Sequence, residues 1–150
     1  MTVVITCKEN GDSVTMDVAV FEKIRTWLAY HQFFDFGIRL EKIRSLDTLC
    51  RPEKEKEKLY HEFYSKTDDM VFSGLITDGF VYFCMHSIDN GHTDYETCGD
   101  IMAVFTRCDE DVKNDLSNIG KEVSLFKSIL QTCVSRKSDM RWYVCKNSTV

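Results

Sequence analysis

The first 17 residues alternate apolar and polar positions with a period of two. TVVITC and SVTMDV carry this alternation, and KENGD separates them. Because Asn10 and Gly11 both tolerate positive φ, they favour a type I′ turn and hence a hairpin over residues 1–17. The register that a two-residue turn imposes places Ile5 opposite Met16.

Residues 18–58 change to a spacing of three and four. Asp17 is a candidate N-cap, and side chains of one helical face then recur at Val20, Ile24, Trp27, Leu28, His31 and Phe34. A further apolar series predicts that helical structure continues past a break near Gly37. The charged run EKEKEK at 53–58 follows Pro52 and is typical of a solvated helix turn or loop. We therefore predict a helical segment with a charged loop.

Residues 59–89 return to a period of two and predict three strands. LYHEFYS places Leu59 and Phe63 on one face of the first strand. MVFSGLITDGFVYFCMHSID then predicts two strands joined at Asp78 and Gly79. Neither of these strands has a polar face, so we expect helices to cover both sides of their sheet.

Residues 93–136 predict two helices. Thr93 and Glu96 have the spacing of a capping box at the start of the first helix. Apolar stripes follow in both helices, at Ile101, Met102, Phe105, Cys108 and Val112, and at Ile119, Val123, Phe126, Leu130 and Cys133. The tail, residues 137–150, contains RWYVC and predicts a short extended segment.

The order of these elements is ββαβββαα within one domain, residues 1–150. It predicts an α+β fold with a five-stranded antiparallel sheet and helices on both of its faces. A sheet covered on both sides explains why the stretch over residues 70–89 lacks a polar face.

Composition narrows the classes of partner. The chain has a formal net charge of -5 and no block of Lys and Arg without interleaved acids, which argues against nucleic acid. No stretch approaches the ~20 apolar residues of a spanning helix, so we expect no direct membrane insertion. Seven cysteines without a C-x-x-C pair favour reduced thiols in a cytosolic or nuclear compartment, and we expect a cytoplasmic location. The pattern does not indicate an oligomeric state.

Chemistry-bearing residues give weak signals for catalysis or metal binding. Cys84 and His86 share one face of the predicted strand, an arrangement that can activate a thiolate, but the apolar surroundings favour packing. His86 and His92 flank SIDNG, where a turn rich in Asp, Asn and Gly explains the same residues. We expect no catalytic residue, no metal and no cofactor.

One region consists of residues 58–89, KLYHEFYSKTDDMVFSGLITDGFVYFCMHSID, and the following helix. This region resembles the longin or SNARE-like domain of membrane-traffic proteins. Within this region, DGFVYFCMHSID resembles the last central strand of vesicle-SNARE longin domains. The resemblance implies a longin-like fold and a non-enzymatic protein-interaction module. It further implies a SNARE, coat or small-GTPase partner in vesicle trafficking, and a peripheral association with membranes through that partner.

The same resemblance implies a binding surface between the first helix and the third strand. The candidate partner-binding residues are Trp27, Phe33, Phe34, Tyr60, Phe63 and Tyr64. Packing in the core explains most of these aromatic residues equally well. A second hypothesis is a small viral or host-interaction protein that blocks a partner through an exposed hydrophobic patch.

Overall fold

The computed structural model describes residues 1–46 and 52–145 and confirms the α+β class. The strands are β1 (Thr2–Cys7), β2 (Ser13–Asp17), β3 (Asn90–Thr93) and β4 (Met140–Cys145). The helices are α1 (Val18–Gln32), α2 (Phe34–Ser45), α3 (Glu53–Phe72), α4 (Asp78–Met85), α5 (Tyr95–Arg107), α6 (Asp109–Asp115) and α7 (Gly120–Arg136). A 3₁₀ turn over Ser117–Ile119 precedes α7.

The described residues form a four-stranded antiparallel sheet, so the predicted five-stranded sheet is wrong. Its strand order is β2-β1-β4-β3, with β1 and β4 in the centre. Val3, Ile5 and Trp142 lie on the face that packs against the helices, and all three are fully buried.

The opposite face of the sheet carries exposed or half-buried side chains, including Val4, Arg141 and Tyr143. Along β1 and β4, buried positions alternate with these more accessible ones. Helices on both faces are therefore not found among the described residues, and the sheet follows the usual antiparallel pattern of one buried and one solvated face.

The predicted hairpin forms, but its register is shifted. Ile5 pairs with Val14 instead of Met16. The connection is longer than two residues because the Cys7 backbone N–H donates to the Asp12 carbonyl over 2.9 Å. Within this loop Gly11 has φ of 77°.

The three strands predicted over residues 59–89 are wrong, because this region contains most of α3 and all of α4. The run EKEKEK and LYHEFYS belong to one helix, for which Glu, Lys and Leu are strong formers. Phe63, Thr67 and Met70 recur at four and three residues and are its buried positions. Two apolar residues four apart, such as Leu59 and Phe63, fit both a strand and a helix pattern.

The predicted turn at Asp78 and Gly79 is instead the first turn of α4. Thr77 has extended backbone angles, and its hydroxyl accepts a hydrogen bond from the Phe80 backbone N–H over 3.2 Å. This is N-cap geometry, which starts a helix where a hairpin turn was expected. Without the predicted hairpin, the ββαβββαα order is wrong as well.

The helical region predicted over residues 93–136 is divided further than expected. Thr93 ends β3, and Asp94 caps α5 by accepting from the Thr97 backbone N–H over 2.8 Å. The first predicted stripe breaks at Cys108, where α5 ends and the short α6 begins.

The predicted extended segment at 141–145 is the greater part of β4. Lys137 ends α7 with φ of 51°, and the Ser138 backbone N–H donates to the Cys133 carbonyl over 2.9 Å. This left-handed cap reverses the chain into the centre of the sheet. The rest of the predicted tail, residues 146–150, lies outside the described residues.

Helix α1 is packed against α2, α4, α5 and the β1–β2 hairpin. Asp17 caps it as predicted, because its carboxylate accepts from the Ala19 backbone N–H over 2.8 Å. Phe21 contacts Phe83, Phe126 and Trp142 with ring centroids about 6 Å apart. Among the described helices, none combines the length and apolar character needed to cross a membrane.

Candidate functional site

A cleft of about 810 Å³ lies between α1, α2 and the end of α6. Its aromatic lining comes from Trp27, Tyr30, His31 and Phe34, and Leu116 adds an apolar side chain. The three aromatic residues of α1 share one helical face because they are three or four residues apart. The volume lies within the ~300–1,000 Å³ range of clefts that bind small groups or anchoring side chains.

The rim of the aromatic cleft is formed where α1 turns into α2. Phe33 breaks the helix with φ of -156° and ψ of 110°, and Phe34 opens the next one. Phe34 is 66% exposed, and its ring centroid is 5.6 Å from that of Tyr30. The fold therefore holds a large apolar ring in water beside the cleft.

The close approach of α1 and α2 depends on Gly37. A Cβ atom at this position would lie 2.6 Å from the Tyr30 Cα atom. The Tyr30 hydroxyl donates a hydrogen bond to the Glu41 carboxylate, which raises the pKa of Tyr30 to about 12. Both contacts fix Tyr30 against α2 and define one wall of the cleft.

Trp27 forms the floor of the cleft and is 7% exposed. Its indole N–H donates to the Asp115 carboxylate over 3.0 Å. Its ring stacks on His31 at 4.0 Å between centroids and on Phe105 at 5.7 Å. Trp27 thereby joins α1 to the end of α6 and to α5.

Beside this floor, His31 faces two carboxylates of α6. Its Nε2 atom lies 3.6 Å from Asp111 Oδ2 and 3.7 Å from Asp115 Oδ2. Its Nδ1 atom lies 3.0 Å from the Trp27 carbonyl oxygen. Asp111 and Asp115 are four residues apart, so both point from the same face of α6.

Glu22 and Arg44 line the cleft, and both are already bonded within the fold, Glu22 to Arg25, which is not itself a lining residue. Arg25 is 2% exposed and donates to the Phe83 and His86 carbonyls over 2.9 and 2.8 Å, and to the Glu22 carboxylate. Arg44 donates to the Thr26 hydroxyl over 2.6 Å and to a carbonyl of α4. Burial lowers the pKa of Arg44.

The structure brings two of the six predicted partner-binding residues together in the cleft, Trp27 and Phe34. Phe33 is half-buried at the corner beside them. The other three lie on α3, which is a helix and not the third strand of the prediction. The predicted groove between the first helix and a strand over residues 59–65 is therefore wrong.

The three predicted residues of α3 have different environments. Phe63 is 4% exposed and packs on Phe36 at 6.4 Å between ring centroids. Tyr60 is half-buried, and Tyr64 is 52% exposed. A hollow of about 370 Å³ between α2 and α3 includes Phe63 but neither tyrosine, so the six residues do not share one surface.

Cys84 and His86 do not form the pair that a strand would have produced. Cys84 lies inside α4 and is fully buried, whereas His86 follows the helix as its C-cap. Burial raises the pKa of the Cys84 thiol to about 12. A thiol in this environment is neutral at physiological pH and is a weak nucleophile.

His86 and His92 both contact the ring of Tyr82, with centroid distances of 4.4 and 5.6 Å. Neither histidine belongs to a group of described residues with metal-binding spacing. Within residues 1–46 and 52–145, such a group is formed by His31, Asp111 and Asp115.

Sequence reasoning placed His31 on the apolar stripe of the first helix but gave it no partner. The sequence does not predict that Asp111 and Asp115 lie beside His31, because their position depends on the break at Cys108, which turns α6 toward α1. The acidic composition of residues 109–115 was the available signal, and it indicates no partner by itself.

No protein-family model, no curated protein and no solved structure matches this chain.

Proposed function

We propose that this protein is a non-enzymatic interaction domain that binds a basic segment of a partner protein. The aromatic cleft accepts an apolar anchor side chain of that segment, and α6 attracts the cationic residues that flank the anchor. The observation that carries this proposal is the exposed ring of Phe34 at the edge of an aromatic cleft.

The aromatic lining supports a role in recognition. Trp and Tyr supply large contact areas with little loss of conformational entropy, and they are enriched among the residues that dominate binding energy. Trp27 is already fixed by Asp115 and by stacking, so an incoming side chain meets a preorganised floor. Phe34 would lose contact with water when the anchor enters.

The choice of a basic partner rests on the charge of α6. This helix, DEDVKND, carries four carboxylates against one lysine, and none of its residues is buried. Lys113 pairs with Asp109 at 3.3 Å, which leaves Asp111 and Asp115 facing the cleft side. Complementary charge steers association and selects partners.

The non-enzymatic part of the proposal is supported by the state of the polar groups. Arg25 and Arg44 are engaged in holding helices together, Glu22 accepts from Arg25 within α1, and the Cys84 thiol is buried. A SNARE, coat or small-GTPase partner in vesicle trafficking stays a prediction, as does a cytoplasmic location.

Peptide display tests the proposal. A library of random peptides is selected on the full chain, and the selected peptides are then measured by fluorescence polarisation. We expect an aromatic or aliphatic residue flanked by Lys or Arg. Phe34→Ala should weaken binding by about 2 kcal/mol, or roughly thirtyfold.

Tyr64→Ala is the matched control, because Tyr64 is also an exposed aromatic residue but lies on α3. It should leave the affinity unchanged. Selected peptides that are acidic, or that bind Phe34→Ala as tightly as the unmodified chain, would contradict the proposal.

A further inference from the structure

We propose that His31, Asp111 and Asp115 bind a divalent first-row transition-metal ion at the edge of the aromatic cleft. This metal site goes beyond the proposed partner binding and does not require a partner. Because the ion would neutralise Asp111 and Asp115, the metal-bound chain should attract a basic segment less strongly. One imidazole and two carboxylates would supply three ligands, leaving further positions for water.

The first argument is the orientation of His31. Its Nδ1 atom is 3.0 Å from the Trp27 carbonyl oxygen, and a carbonyl can only accept a hydrogen bond. In the neutral ring Nδ1 therefore carries the proton, and Nε2 presents its lone pair to the two carboxylates. A backbone carbonyl that orients a histidine in this way is a common outer partner of metal-binding imidazoles.

The second argument is the convergence of acceptors. Nε2 and one oxygen from each carboxylate lie within 4.8 Å of one another. Among the described residues, Asp111 has no cationic partner except a protonated His31. Three acceptor atoms this close repel one another unless a cation or a proton lies between them.

The distances suit a small cation. Ligands about 2.0–2.1 Å from a tetrahedral metal lie about 3.3 Å apart. The Nε2 atom is 3.6 and 3.7 Å from the two carboxylate oxygens, so small side-chain rotations would close the site. Asp115 is held in place by the Trp27 indole N–H, whereas Asp111 is about half exposed, has no such hydrogen bond among the described residues and can make that adjustment.

Trp27 contacts and orients two of the three proposed ligands. Its carbonyl orients His31, its indole N–H holds Asp115 over 3.0 Å, and its ring stacks on the imidazole. Two of the three ligands are thus preorganised by one nearly buried residue. A chance group of surface carboxylates would lack such fixed partners.

Co²⁺ titration of the full chain tests the metal site, because the visible absorption of bound Co²⁺ depends on its ligands and the ion can quench nearby tryptophan fluorescence. We expect one-to-one binding by calorimetry, with visible d–d absorption typical of nitrogen and oxygen ligands. We also expect quenching of Trp27 fluorescence, because its ring stacks on His31. Zn²⁺ should displace Co²⁺ and reverse the quenching.

Two variants identify the ligands. Asp111→Asn and His31→Gln should each weaken Co²⁺ binding by at least about tenfold. Glu110→Gln is the matched control, because it removes the same charge from the neighbouring position, where the side chain is 85% exposed and faces Lys113. It should bind Co²⁺ like the unmodified chain.

Three results would overturn the metal site. The first is no saturable binding, and the second is equal binding by Asp111→Asn and Glu110→Gln. The third is sulfur-to-cobalt charge-transfer absorption, which would place the ion on thiols such as that of the exposed Cys145. If Phe34→Ala loses peptide binding but still binds Co²⁺ like the unmodified chain, the metal site is independent of partner binding.

Discussion

Replacement of Gly37 by alanine tests how closely the first two helices must approach to form the cleft. The new Cβ atom would lie 2.6 Å from Tyr30 Cα and 2.6 Å from Tyr30 Cγ. Carbon atoms pack best at about 3.5–4.0 Å, so α1 and α2 must separate by about 1 Å. The backbone of Tyr30 cannot rotate away, so this displacement involves the helices themselves.

The expected cost follows from two opposing effects. Overpacking costs about 1–3 kcal/mol, and a clash with a backbone atom belongs near the upper end of that range. Alanine recovers about 1 kcal/mol of helix propensity relative to glycine. We therefore expect Gly37→Ala to lower the free energy of unfolding by about 2 kcal/mol.

Gly99→Ala makes the same chemical change in α5, where an added Cβ atom would meet nothing within 4 Å. It should raise the free energy of unfolding by about 1 kcal/mol through helix propensity alone. The two variants therefore differ by about 3 kcal/mol, or about 6–12 °C in Tm for a chain of this size.

Urea unfolding followed by circular dichroism, together with thermal scans, measures this difference. The m-value should be the same in both variants, so that the change in midpoint reports stability. A Gly37→Ala variant as stable as Gly99→Ala would refute the close packing of α1 and α2. Gly37→Ala should also weaken binding of the selected peptides, because it displaces Tyr30.

Two further predictions concern buried polar groups. Arg25→Ala should lower the free energy of unfolding by about 2–4 kcal/mol in urea titrations, because it leaves the Phe83 and His86 carbonyls without their donor. Arg39→Ala, which breaks an exposed pair with Asp35, should cost less than about 1 kcal/mol, and equal costs would contradict a structural role for Arg25. Burial raises the pKa of the Cys84 thiol from 9.0 to about 12, so above pH 9 the unfolded chain binds fewer protons than the folded one, and stability should fall between pH 9 and pH 12. In urea titrations at several pH values, Cys84→Ala should lose less stability between pH 9 and pH 12 than the unmodified chain. An equal loss of stability in both would contradict a raised pKa for the Cys84 thiol.

The α+β class, the first hairpin and the cap of α1 could be predicted because local signals determine them. Asp17 both ends β2 and caps the helix, and its carboxylate needs only the next turn of chain to do so. The stripe of α1 was likewise visible, since its neighbours along the sequence are also its neighbours on one helical face.

The central part of the fold could not be predicted because its signals were ambiguous. LYHEFYS is short enough to match a strand, and its helical state depends on the charged run before it and on packing against α2. The apolar α4 gave no periodic signal because Val81, Tyr82 and Met85 are apolar although they lie outside its buried face, and Thr77 was not recognised as a cap.

Only part of the cleft could be predicted from the sequence. Trp27 and Phe34 were predicted as partner-binding residues from a resemblance, and the structure places both in the same cleft. Asp115 contacts Trp27 across an 88-residue separation that no local pattern encodes. Contacts of this kind are set by tertiary packing.

The pairing of β1 with β4 has a consequence for biosynthesis. Thr2 pairs with Cys145 and Cys7 with Met140, so the two central strands of the sheet are made at opposite ends of the described chain. While the ribosome adds the intervening residues, β1 has only β2 beside it, and an isolated two-stranded hairpin is marginally stable. Its open edge is a template for pairing with other chains. A nascent chain that stops short of Met140 should therefore expose the β1 edge that β4 covers in the folded protein, and should be more prone to aggregate than the chain that includes β4.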